Sequence, residues 1–110
     1  MVVSTDSAFL QAIGKRIREL RMVKGWSQQE LAYRVGMEKS NLSVIETGKS
    51  NPQLLTICKI ACALGVQPLE VFQFEVDPEQ FMEAQADYAP RKHKKWGLRS
   101  ETTRSESWDK

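Results

Sequence analysis

The stretch Ser27-Gln28-Gln29-Glu30-Leu31-Ala32-Tyr33-Arg34-Val35-Gly36, followed at a short interval by Leu42-Ser43-Val44-Ile45-Glu46-Thr47-Gly48, decides the fold. Ser27 with Glu30 three residues later is a capping box, in which the hydroxyl and the carboxylate satisfy amide donors left free at a helix start. Leu31, Ala32 and Val35 recur behind it at helical spacing, and Gly36 ends that helix because it takes a left-handed turn without a side-chain clash. A further short helix, from about residue 39 to 47, carries Leu42 and Ile45 with Val44 beside them, is polar on one side and breaks at Gly48. Two short helices joined by so tight a turn have the geometry that docks in a DNA major groove. Spacing alone leaves that reading open.

Outward from this pair, both flanks are helical. Phe9, Leu10, Ile13, Ile17 and Leu20 lie on one face of a helix from about residue 7 to 24, which Gly25 stops. Trp26, between the first and second helices, reads as a cover over the core. On the other side, the loop Lys49-Ser50-Asn51-Pro52 leads into a helix whose stripe is Leu54, Leu55, Ile57, Cys58, Ile60, Ala61 and Leu64, closed by Gly65. Pro68 suits a first helical position, so residues 68–72 form a short fifth helix. Beyond Phe74 the pattern changes: Phe72, Phe74 and Val76 alternate as in a short strand, and Asp77-Pro78-Glu79-Gln80 resembles a capped helix start leading into Phe81 and Met82. From residue 90 onward polar and charged residues predominate around Trp96, Leu98 and Trp108, which predicts a mobile tail.

A chain of 110 residues has room for one domain and an appendage. We therefore read residues 7–74 as one unit and 75–110 as a C-terminal extension. The net charge of +2 says little about partners until its distribution is seen. Residues 15–24 hold Lys15, Arg16, Arg18, Arg21 and Lys24 against the single acid Glu19, so the first helix is basic. A second basic cluster at residues 91–95 nearly cancels the acidic stretch Glu75, Asp77, Glu79, Glu83 and Asp87. That cluster reads equally as a nonspecific DNA contact and as a solubilising tail. No run approaches the roughly 18 apolar residues of a membrane helix and Met1-Val2-Val3-Ser4 is no signal peptide, so the expected location is cytoplasmic. Cys58 and Cys62 fall within the apolar helical pattern and read as small core residues. With His93 the only histidine, no ligand set completes a zinc site, and no metal or cofactor is expected. No nucleophile with a neighbouring base, no poised carboxylate pair and no Gly-rich phosphate loop is present, so the chain does not read as an enzyme.

The run from Ile17 to Leu64 reads Ile-Arg-x-Leu-Arg-x-x-x-Gly-x-Ser-Gln-x-x-Leu-Ala-x-x-x-Gly, then Leu-Ser-x-Ile-Glu-x-Gly-x-x-x-Pro and Leu-x-x-Ile-Ala-x-x-Leu. It closely resembles the Cro/C1-type (xenobiotic-response-element) helix-turn-helix family, over about residues 10 to 74. The resemblance implies an all-α, five-helix, lambda-repressor-like bundle, with the C-terminal extension as a short strand or helix and then the tail. It also implies roles. Lys39, Ser40 and Val44 fall where base-facing residues lie, with Asn41 and Ser43 near the groove or backbone. Gln28 matches a position that contacts phosphate through its side chain and the helix terminus. Lys49, Ser50 and Asn51 match a loop that approaches the backbone, and Glu46 a largely structural position, with Arg21 as its expected ion-pair partner. Well-known members carry a glutamine pair where this chain has Lys39 and Ser40, so their adenine-reading pattern does not transfer. Lys39 suits guanine O6 and N7, and Val44 a thymine methyl.

These residues predict a sequence-specific regulator of double-stranded DNA, a repressor by default, acting as a homodimer because one recognition helix buries too little to select a genomic site. Leu69, Phe72, Phe74 and Val76 are apolar surface suited to pairing across a two-fold axis. A second reading is an antitoxin whose C-terminal extension wraps a toxin partner while the DNA-binding half autoregulates the operon. A third, an interaction module without DNA binding, sits poorly with Gln28 and the basic first helix.

Overall fold

Thr5 sets where the first helix begins: its hydroxyl accepts the Ala8 N–H at 3.1 Å, and α1 runs from there as Asp6–Lys24. The computed structural model describes residues 2–84. After α1 come α2 (Gln28–Val35), α3 (Lys39–Glu46), α4 (Leu54–Leu64), a 3-10 helix (Pro68–Phe72) and α5 (Pro78–Ala84). The expected fifth helix is thus the tighter i→i+3 form, with Pro68 in its first turn.

The apolar stripes meet in one core. Ile17 of α1, Leu31 of α2, Leu42 of α3, Ile60 and Leu64 of α4 and Val71 of the 3-10 helix are all fully buried. Burying each such side chain is worth about 1.5–3 kcal/mol, so the bundle is held chiefly by helix faces and not by helix propensity. Ile13, Leu20, Trp26 and Val35 pack against this core while remaining partly exposed. Gly14 makes the α1–α3 crossing possible. A Cβ there would overlap the backbone carbonyls of Ile45 and Glu46, so only glycine lets the two helices approach this closely.

The helical reading holds for the bundle, and the ends add a small sheet. Val2–Val3 (β1) pairs in parallel with Glu75–Val76 (β2), with Val2 opposite Glu75 and Val3 opposite Val76. Val3 is fully buried. The Asp77 carboxylate then caps α5 by accepting the Glu79 and Gln80 amides at 3.1 and 3.2 Å, as its sequence implied. Phe9 of α1 receives Phe74 and Phe81 edge-on, with centroids 5.6 and 5.4 Å away. Phe74 is therefore occupied within the chain, whereas Leu69 is 69% exposed and Phe72 and Val76 are also exposed.

One core assignment needs correction. Ile57, Ile60, Ala61 and Leu64 supply the inward stripe of α4, which leaves Cys58 and Cys62 on its flank. Cys58 is half-buried and Cys62 exposed, so Cys62 is not a core residue. No helix among the described residues is long and apolar enough to cross a membrane. The basic cluster at residues 91–95 and the expected tail lie outside the described residues.

Candidate nucleic-acid interface

The candidate interface is built on the turn between α2 and α3. Ser27 caps α2, its hydroxyl accepting the Glu30 N–H at 3.0 Å. The reciprocal half of the capping box is not made: Glu30 accepts instead from Arg34 Nε at 2.7 Å, one turn along the helix. Gly36, at φ 85°, ends α2, and its N–H and that of Met37 both reach back to Ala32 O at 2.9 Å. This is the left-handed closure that sequence patterning placed here. It turns the chain into α3 within three residues.

Residues of α3 divide by face. Leu42, Ile45 and Glu46 point inward and are buried. Lys39, Ser40, Asn41 and Val44 are exposed, and Ser43 is half-buried. Ser40 and Val44 are one turn apart, as are Lys39 and Ser43, so the expected base-facing residues share the outward side. None of the side chains of Lys39, Ser40, Asn41 and Ser43 makes a hydrogen bond or ion pair within the described residues. Beyond Gly48 the loop to α4 carries Lys49 and Asn51 exposed and Ser50 half-buried.

A buried charge cluster fixes the inner side of α3. Arg21 donates from Nε to Glu46 Oε2 at 2.8 Å and from Nη2 to Glu46 Oε1 at 2.9 Å. Its Nη1 donates to the Trp26 carbonyl at 2.8 Å. The two side chains are 11% and 2% exposed, so the bidentate pair sits in a medium where losing either partner is costly. Gln28, the first residue of α2, joins them through Nε2 to Glu46 Oε1 at 3.0 Å. Thus α1, the start of α2 and the end of α3 are tied at one carboxylate. The expected partnership of Arg21 with Glu46 is present. Gln28, assigned from sequence to a phosphate contact, directs its side-chain amide inward.

The other cations of α1 have different duties. Arg16 donates to the Glu70 carbonyl and to Glu19, each at 3.0 Å, clasping the 3-10 helix. Lys24 and Arg34 lie over Trp26, at 5.6 and 4.1 Å from its ring. Trp26 is half-buried against the core, as expected of a cover, and is also a cation–π platform. Lys15 and Arg18 remain exposed. Gly14 and the clasp of Arg16 on Glu70 are the positioning features that sequence reasoning missed. A glycine inside the otherwise strong helical pattern of α1 was a usable signal for the first. Nothing in the local pattern marks the partner of Arg16, which lies 54 residues away.

Comparison with known proteins agrees with this geometry. Residues 17–71, half of the chain, match the helix-turn-helix family. The control protein C.BamHI of Bacillus amyloliquefaciens is 39% identical over 62 residues, covering 56% of this chain and 76% of that protein. The immunity repressor protein of Bacillus phage phi105 is 31% identical over 94 residues, covering 86% of this chain and 63% of the repressor. Among solved structures, the restriction-modification controller protein C.AhdI from Aeromonas hydrophila superposes with a TM-score of 0.58. It is 42% identical, with 60% of this chain and 96% of that one covered. The chain belongs to the Cro/C1-type (XRE) helix-turn-helix family of DNA-binding transcriptional regulators.

Proposed function

We propose that the protein is a sequence-specific repressor that binds a pseudo-palindromic operator as a homodimer, with α3 in the major groove. The observation that carries this reading is the outward side of α3. Lys39, Ser40 and Val44 are exposed there, and neither Lys39 nor Ser40 has a polar partner within the described residues, while the inward side is pinned through Glu46. Lys39, Ser40 and Val44 face base edges; Asn41 and Ser43 lie at the groove edge; Lys49, Ser50 and Asn51 meet the phosphate backbone. Gln28 contributes by placing the first amides of α2 toward a phosphate, its side chain being held by Glu46.

Two copies read two half-sites, which multiplies the discrimination of a single helix. The exposed apolar residues Leu69, Phe72 and Val76 supply the dimer contact. Occupancy of the operator then blocks transcription, as the likeness to a phage immunity repressor supports. Residues 7–74 act as the DNA-binding unit, and the extension at 75–110 is the segment available to a protein partner. Selection of bound sequences from a random DNA pool at fixed salt tests this directly. A palindromic consensus with half-site centres about one helical turn apart, roughly 10 base pairs, is expected. An unenriched pool would contradict it.

A further inference from the structure

Cys58 and Cys62 stand one turn apart on α4, off the core-facing stripe, beside an open groove of about 480 Å³ between α2 and α4. Val35, Leu55 and Ala63 give the groove an apolar wall. We infer that Cys58 and Cys62 form a dithiol site for a trivalent thiophilic metalloid, arsenic or antimony, bearing a small apolar substituent that lies in this groove.

The spacing narrows the ligand to one that two sulfurs can hold. Side chains at i and i+4 of a helix have Cβ atoms about 5–6 Å apart. A disulfide needs Cβ atoms about 3.5–4.5 Å apart and would force the helix to move. Insertion of one large atom between the sulfurs lengthens the bridge and removes that conflict. Hard cations do not favour sulfur, and among the described residues no cluster of three or more His, Cys, Asp or Glu could complete a four-coordinate metal site. A trivalent centre needs only the two sulfurs, because its own substituent fills the third position. The groove wall offers that substituent an apolar surface to lie against, with Arg34 and Lys59 at its edge.

With phenylarsine oxide as the probe, each thiol loses its hydrogen, two arsenic–sulfur bonds form, and the arsenic oxygen leaves as one water molecule. Arsenic stays trivalent throughout, so neither oxidant nor reductant is involved. The full-length reduced protein should take up one phenylarsenic group per chain, losing both free thiols, as read by intact mass. Excess glutathione should leave the adduct in place, and dimercaptopropanol should remove it. Thermal unfolding should shift upward, because the bridge fits the native helix better than the unfolded chain. Cys62→Ser, a change at an exposed position, should abolish the glutathione-resistant adduct while leaving the unmodified melting temperature unchanged, and Cys58→Ser should abolish it too. Two groups per chain, an adduct that survives glutathione in Cys62→Ser, or a melting temperature that is unchanged or lowered by the adduct would overturn the inference.

Discussion

The two sides of α3 carry polar residues under opposite conditions. On the inner side, the Glu46 side chain is 2% exposed and its carboxylate accepts three hydrogen bonds from Arg21 and Gln28. On the outer side, Lys39, Ser40 and Asn41 are exposed and their side chains make no hydrogen bond or ion pair among the described residues. A polar group that stabilises this fold is buried and fully satisfied, since a buried charge without partners would cost more than its burial returns. A polar group free to recognise another molecule is held in water by a helix that something else positions. One eight-residue helix holds both kinds of polar residue by facing them in different directions, and on the proposed reading the outer ones meet DNA.

That contrast is broken most severely from the inside. Glu46→Ala leaves the Arg21 guanidinium in an apolar setting without its carboxylate, and should destabilise the protein by about 3–5 kcal/mol in urea unfolding. The double replacement Arg21→Met with Glu46→Leu should recover most of that stability, because removing both charges spares the desolvation cost. A single mutant as stable as the parent would show that the pair does not hold α3. Next in size, Gly14→Ala should cost about 1–3 kcal/mol by forcing α1 away from the end of α3. On the proposed reading its effect on DNA binding should appear as a common weakening on every sequence, since α3 shifts as a whole.

Gln28 lies between the two sides of α3, bonded to Glu46 at the start of α2. Gln28→Ala removes one of three hydrogen bonds to Glu46, which should lower stability by about 1 kcal/mol. The proposed phosphate contact at the start of α2 should weaken with it, lowering affinity for operator and random DNA by the same factor in filter-binding titrations. A reduction confined to one base pair would instead make Gln28 a base reader.

Sequence patterning located the bundle because its helices bury regular stripes and end at residues with strong local preferences, Ser27, Gly25, Gly36 and Gly65 among them. The Arg21–Glu46 pair was also legible, through resemblance to the family. What escaped reading depends on packing between distant parts of the chain. The alternation of Phe72, Phe74 and Val76 marked the strand that forms at Glu75–Val76, but its partner Val2–Val3 is too short to show a period. The capping box predicted a Glu30 bond to its own helix start, but Arg34 offered that carboxylate a charged partner on the exposed surface. Cys62 was misplaced because an apolar run can be wider than the face it buries: the stripe through Ile57, Ile60, Ala61 and Leu64 was sufficient without it. For the interface, residue positions on α3 could be read, but that the Gln28 amide is held by Glu46 could not.

On the proposed reading, the outer side of α3 recognises bases and can be stripped of its side chains without harm to the fold. The direct measurement compares the Lys39→Ala, Val44→Ala double mutant with the parent on the selected operator, its single-base variants and random DNA at one salt concentration, with melting temperatures taken in parallel. Stability should change by no more than about 0.5 kcal/mol, because both residues are exposed. Operator affinity should fall by about 1–3 kcal/mol for each well-directed base interaction removed, with discrimination relaxing at the base pairs those side chains faced and affinity for random DNA nearly unchanged. A double mutant that folds normally and keeps the parent's full sequence preference would contradict the assignment of α3 as the reading helix.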